Sequence, residues 1–178
     1  FGSLLVSRLI TAGHNVRILD LVPDTDHPDV ETVIGDIRDR SVVDRAVKGV
    51  DCIFHNVAQV PLAKNEQLLR SVNIDGTRIL LQSALDHGVG KVVNTSSSAI
   101  FGIPSHNPVL PTTPARPMEA YGRAKYEAER LCLEYVHRGL DVSVVRPRTI
   151  LGHGRLGIFG ILFDWIADGA DPFVLGRS

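Results

Sequence analysis

Lys91-Val92-Val93-Asn94-Thr95-Ser96-Ser97-Ser98, followed after a proline-rich interval by Tyr121-Gly122-Arg123-Ala124-Lys125, is the stretch that decides how this chain is read. The first part is a short apolar run that passes into a hydroxyl cluster, the pattern of a buried strand ending in a polar loop. If residues 118–138 are helical, Tyr121 and Lys125 lie one turn apart on one face, roughly 6 Å along the axis at about 1.5 Å per residue. An ammonium group placed there stabilises a phenolate. A free Tyr titrates near ~10 and is a poor base at neutral pH without such a neighbour. A hydroxyl from the Ser cluster would then hold the oxygen of a reacting alcohol or carbonyl. Tyr-x-x-x-Lys also occurs as an ordinary exposed helical pair, so its meaning depends on what flanks it.

What flanks it is helix and strand in alternation. Upstream, Leu5, Val6, Leu9 and Ile10 recur at helical spacing and stop at Gly13. Strands are expected at 16–20 and 30–34, a short helix at 40–48, a buried strand at 51–57 and a long amphipathic helix at 65–87. Pro117 suits the first turn of the helix that carries Tyr121. Downstream the chain returns to a strand at 142–146 that ends in Arg146-Pro147. A Gly-rich loop, 151–157, and an apolar segment, 158–167, follow. Strands spaced by helices call for parallel pairing, so the fold class expected is α/β, a doubly wound parallel sheet of Rossmann type. Phe1-Gly2-Ser3 leads straight into a helix where such a sheet would begin with a strand and a Gly-rich turn, so that strand is expected upstream. Residues 1–178 read as one nucleotide-binding domain, with 151–178 the start of a substrate-binding part.

Composition narrows the partners. A hydrophobic content of 44% and a net charge of −1, with no basic stripe, suit a globular domain and speak against nucleic acid. No membrane span is expected. Cys52 and Cys132 lack Cys-x-x-Cys spacing, which favours two reduced, packed thiols in a cytoplasmic protein. The seven His residues are scattered singly, so no metal is assigned.

Several single residues gain meaning from position. Gly2 fits the last glycine of a dinucleotide turn, where lack of a side chain permits helix and strand to pack closely. Asp20, at the end of a strand 18 residues later, stands where a carboxylate accepts bonds from two ribose hydroxyls; a solvated strand-terminal Asp is the other reading. Leu21-Val22-Pro23 follows with no Arg, so a 2′-phosphate would be repelled and NAD is preferred to NADP. Asp36 and Ile37, after Gly35, can offer a carboxylate to the adenine amino group and an apolar face to its ring, or form a turn with a helix-capping Asp. Val57 and Ala58 end a strand with small side chains that let a cofactor backbone approach. Asn73, polar among apolar neighbours, could bind the cofactor or an ordered water. His55 reads as a packed strand histidine and Trp165 as core.

Taken in order, Gly2-Ser3, Asp20, Gly35-Asp36-Ile37, Asn73-Ile74-Asp75-Gly76-Thr77, Thr95 to Gly102, Tyr121-x-x-x-Lys125 and Arg146-Pro147 resemble the extended short-chain dehydrogenase/reductases, the NAD-dependent epimerase/dehydratase group. The resemblance covers nearly the whole chain. It selects Ser97, five residues before Gly102, as the active-site hydroxyl, and places Thr95 and Pro147 beside the nicotinamide. It implies hydride transfer at a secondary alcohol carbon, with Tyr121 moving the hydroxyl proton, Ser97 holding the oxygen, and Lys125 serving both Tyr121 and the nicotinamide ribose. A homodimer is one assembly open to such an enzyme. Three readings follow: an epimerase or dehydratase of nucleotide-sugars, kept first on the breadth of the group; a 3β-hydroxysteroid dehydrogenase-like enzyme as the alternative, for which the short connection Gln59 to Lys64 speaks; and a noncatalytic NAD-sensing protein, disfavoured because Ser97, Tyr121 and Lys125 are all present.

Overall fold

A computed structural model describes residues 1–60, 65–150 and 158–169. The chain divides into two compact units, 1–147 and 148–178. In the first, the order is α1 (Gly2–Thr11), β1 (Arg17–Asp20), β2 (Glu31–Ile34), α2 (Arg40–Val47), β3 (Cys52–His55), α3 (Glu66–Arg70), a π-helical segment (Ser71–Gly76), α4 (Thr77–Asp86), β4 (Lys91–Thr95), a 3-10 turn (Ser98–Phe101), α5 (Ala120–His137) and β5 (Val142–Val145). The second unit contributes one described helix, α6 (Ile158–Ala167).

Every strand pairing among the described residues is parallel. β1 pairs with β2 from Arg17 opposite Glu31 to Asp20 opposite Ile34, and β4 lies between β3 and β5 with His55, Asn94 and Val144 in one row. Parallel neighbours need a crossover; helices supply it between β3 and β4 and between β4 and β5, while β1 and β2 are joined by the loop 21–30. Among the described residues the strands form two hydrogen-bonded groups, β1-β2 and β3-β4-β5, rather than one continuous sheet.

One apolar cluster unites them. Val43, Leu81, Ala84, Val92 and Ala124 are fully buried, and Leu19 of β1 and Ile53 of β3 pack on the same cluster. Each helix reaches it by its own local chemistry. α2 starts at Asp39, whose carboxylate accepts the N–H groups of Ser41 and Val42 at 2.8 and 3.3 Å and so satisfies two unpaired donors of the first turn. It ends against β1, where Arg17 donates to the carbonyls of Ala46 and Lys48. The long helix expected over 65–87 is helical from Glu66 to Asp86, but it widens into a π turn over Ser71–Gly76. There a Cβ on Gly76 would stand 2.7 Å from the Ile37 side chain, so the glycine lets this turn close on the loop after β2.

Helix α5 presents a seam of Ala124, Ala128, Leu131, Cys132 and Tyr135 to the core, and Lys125 and Glu129 lie buried beside it. Its start lies at Ala120, with Glu119 in extended backbone before it, so Pro117 falls outside the helix. Gly122 brings this start against the 3-10 turn. A Cβ there would meet the Ala99 carbonyl oxygen at 2.6 Å.

Two packing expectations are corrected. Cys52 is exposed, because it points to the opposite side of β3 from buried His55; only Cys132 is a packed thiol. Trp165 on α6 is 53% exposed rather than core, and Ile161 and Phe163 are exposed with it. A Cβ on Gly2 would meet nothing within 4 Å among the described residues, and the strand it is expected to pack on is not one of them. The loop 151–157 and the segment 172–176 lie outside the described residues.

Gly122→Ala is expected to destabilise the protein by about 1–3 kcal/mol, as overpacking against rigid backbone does. Urea unfolding measures it, and an unchanged midpoint would show that α5 and the 3-10 turn can part without cost.

Candidate active site

Two groups of residues meet at the C-terminal ends of the strands, where ligands of open parallel sheets bind. The first lines a cleft of about 470 Å³, within the range of small-molecule sites. Asp20 comes from the end of β1, Gly35 to Arg38 from the loop after β2, and Asn56 to Gln59 from the loop after β3. Five of the residues singled out from the sequence thus come together here: Asp20, Asp36, Ile37, Val57 and Ala58. Val57 and Ala58 lie just past β3 rather than in it.

The acids in this cleft are held differently. Asp36 accepts the Arg38 Nε–H with both oxygens, at 2.9 and 3.1 Å, and the Arg38 backbone N–H at 2.9 Å. The guanidinium keeps the Asp36 carboxyl below its ordinary range. Arg38 reaches on to the Ser71 hydroxyl at 3.2 Å, which ties the loop to the π turn. The Asp20 carboxylate accepts only the nearby Val22 N–H among the described residues, a long 3.3 Å bond. Its carboxylate is exposed and open to a hydroxyl-bearing ligand.

Asn73 works behind the cleft. It is 1% exposed, its Oδ1 accepts the Gln59 N–H at 2.8 Å and its Nδ2 donates to the Gln59 carbonyl at 3.0 Å. Asn73 is thus a two-point clamp on the loop of Val57 and Ala58. His55 is a packed strand histidine, as its sequence setting suggested: buried, 2.9 Å from the Thr77 hydroxyl, which donates onward to the Asn73 carbonyl. Since that hydroxyl's proton is used, His55 Nε2 carries the hydrogen it shares with Thr77. Burial, then the charge of Lys125, pushes its pKa down to about 3, so it is neutral.

The second group surrounds the end of β4. Lys125 is 6% exposed and donates to the Thr95 carbonyl at 2.8 Å. Loss of water pushes its pKa down to about 8, opposed by Cys132 and Glu129. The Thr95 hydroxyl donates to Asn56 at 2.6 Å, joining this group to the cleft. Ser97 caps the 3-10 turn: its Oγ accepts the Ala99 N–H at 3.2 Å, an arrangement that leaves the hydroxyl's own proton to donate elsewhere. Ser98 N–H donates to the Pro147 carbonyl at 2.9 Å, so the hydroxyl cluster and the end of β5 are one structure. Tyr121, one turn before Lys125 on α5, is half-buried against the core cluster.

Arg38, Asn56 and Gln59 were missed from sequence. Asp36-x-Arg38 carried a signal, since an acid and a base two apart around a turn close on one another. Gln59 enters through its backbone, which no side-chain pattern reveals.

A family profile described as the NAD dependent epimerase/dehydratase family matches residues 1–169. The chain belongs to that family. It is 51% identical over 178 residues to the uncharacterized protein y4nG of Sinorhizobium fredii, covering 99% of this chain and 45% of that protein. It is 34% identical over 193 residues to a 3 beta-hydroxysteroid dehydrogenase/Delta 5→4-isomerase of Mycobacterium tuberculosis, covering 99% of this chain and 51% of that enzyme. Among solved structures it superposes with a TM-score of 0.83 and 28% identity on a double mutant of DesIV, the dTDP-glucose 4,6-dehydratase of Streptomyces venezuelae, with NAD and DAU bound; 94% of this chain and 59% of that one are covered. The chain spans about half the length of the curated relatives it matches.

Asn73→Ala should cost about 1–3 kcal/mol of stability, because the Gln59 N–H and C=O lose both partners, and it should weaken dinucleotide binding with it. Urea unfolding and fluorescence titration with NAD check the two effects; a variant unchanged in both would deny the clamp.

Proposed function

We propose that the intact protein is an NAD-dependent oxidoreductase acting at a secondary alcohol carbon, with Ser97, Tyr121 and Lys125 as its catalytic residues. The observation that carries this is Lys125: a buried ammonium, one helical turn from Tyr121, anchored on the last residue of β4 two positions before Ser97. The cleft fits the cofactor. Asp20 is an exposed carboxylate suited to ribose hydroxyls, and it disfavours the 2′-phosphate of NADP. Ile37, Val57 and Ala58 supply apolar and small surfaces, and Asp36 an acceptor for the adenine amino group. Thr95 and Pro147 would border the nicotinamide end, and Gly2 the pyrophosphate. NAD, when bound, accepts or returns the hydride.

The chain's own residues manage the proton. Ser97 donates to the alcohol oxygen and fixes it. Tyr121 takes the hydroxyl proton as the alcohol becomes a carbonyl, and returns it in the reverse direction. Lys125 lowers the energy of the phenolate by its positive charge, and its remaining N–H groups can hold ribose hydroxyls. A neutral His55 behind it adds no competing charge.

For the substrate we favour a 3β-hydroxysteroid-like alcohol, supported by the 34% identity to the mycobacterial dehydrogenase across nearly this whole chain. Most of the short connection 59–64, which suggested the same, lies outside the described residues. A nucleotide-sugar is the second reading, supported by the backbone likeness to the dTDP-glucose dehydratase. Reduction of NAD followed at 340 nm with a 3β-hydroxysteroid, beside conversion of UDP- and dTDP-sugars, separates them. Two free cysteines suit a cytoplasmic setting, and a homodimer would suit the intact protein.

Tyr121→Phe is expected to lower kcat by about 10²- to 10⁴-fold, the range of general acid-base catalysis, while NAD affinity stays near wild type. Steady-state rates and an NAD titration on the intact protein decide it. An unchanged kcat would remove Tyr121 from the mechanism.

A further inference from the structure

Two residues that the proposed mechanism does not use stand directly behind it. Glu129 follows Lys125 by one turn on α5 and is 8% exposed. At this spacing a Lys and a Glu ordinarily pair. Here Glu129 turns both carboxylate oxygens to Arg146, at 2.9 and 2.7 Å, and forms no ion pair with Lys125. Arg146 is the residue just after β5, and its neighbour Pro147 accepts the Ser98 N–H. The Arg146 guanidinium also lies over the Phe101 ring, 5.5 Å from its centroid. One side chain therefore ties α5, β5 and the 3-10 turn together.

We propose that Glu129 and Arg146 are a positioning pair for the proton-transfer site: Arg146 neutralises the Glu129 carboxylate and holds it away from Lys125, leaving the ammonium free to act on Tyr121. This rests on the proposed role of Tyr121 and Lys125. A bidentate pair fixes the carboxylate's direction more firmly than a single bond would. Without Arg146, a nearly buried carboxylate one turn from Lys125 would be uncompensated, the costly state for a buried charge, and would turn to the ammonium as its partner.

The other charged neighbours are few. On α5 itself, Cys132 sits in the same buried seam. From β3 comes His55, which is neutral. The 3-10 turn, Ser98 to Phe101, has no ionisable side chain. Asp75 of the π turn and Arg78 of α4 are exposed, while Glu66 and Arg70 of α3 pair with Arg123 and Glu127 on the outer side of α5. Glu129 and Arg146 are therefore the charges best placed to bias Lys125 and Tyr121.

The test is the phenolate absorbance of Tyr121 near ~295 nm, followed between pH 6 and 11 in the intact protein as a difference from Tyr121→Phe. Glu129→Gln leaves Arg146 unopposed and should move the midpoint to lower pH. Arg146→Met leaves Glu129 unopposed and should move it to higher pH. Each displacement should be on the order of half a pH unit to one pH unit, the size of a unit charge acting through a partly screened interior. Arg146→Lys keeps the charge and folds more readily, and should stay near wild type; the double variant Glu129→Gln/Arg146→Met should return toward it. A pair that only holds the fold would lower the melting temperature without opposite displacements. Midpoints that move the same way, or not at all, would overturn the proposal while leaving the catalytic reading intact. A wild-type protein in which Tyr121 titrates like a free phenol would overturn both.

Discussion

The hydrogen bond from Lys125 Nζ to the Thr95 carbonyl, 2.8 Å long and almost closed to water, is the constraint on which the rest of the site depends. It joins the second turn of α5 to the last residue of β4, the strand between β3 and β5. A lysine held there has lost most of its hydration, and its pKa falls to about 8 as a result. The fold supports this costly placement by anchoring the helix through its buried seam of Ala124, Ala128, Leu131, Cys132 and Tyr135. Glu129 enters the same seam only because Arg146 meets it.

From that bond two chains of contact lead outward. One runs through the Thr95 hydroxyl to Asn56 and so to the loop of Val57, Ala58 and Gln59, which Asn73 clamps from below. The other runs through Gly122 to Ala99 and the turn capped by Ser97, and on through Ser98 to Pro147. The cleft and the hydroxyl cluster are thus two ends of one framework. A change in the position of α5 would be felt at both.

How much of this was legible in the sequence depended on period and reach. Alternating strands and helices announced the parallel α/β fold, since helical spacing in α2 and α5 and short apolar runs at β3 to β5 are local signals. Asp20, Asp36, Ile37, Val57 and Ala58 were found because strand ends of such a sheet converge, and in the structure they line one cleft. What was not legible is non-local or carried by the backbone. The π turn, the Asn73 clamp on Gln59 and the Glu129–Arg146 pair each need partners 14 or 17 residues away, or a backbone shape that no periodicity encodes. Cys52 and Trp165 misled because apolar character marks what can be buried, not what is.

The most direct test of the account is the titration of Lys125 itself. In the intact protein labelled with ¹³C at lysine Cε, the resonance absent from Lys125→Met should titrate near pH 8, where burial places it. A midpoint near ~10.4, the value of a solvated lysine, would mean that the ammonium is not held in the dry site beside Thr95, and the proton-transfer reading built on it would fall.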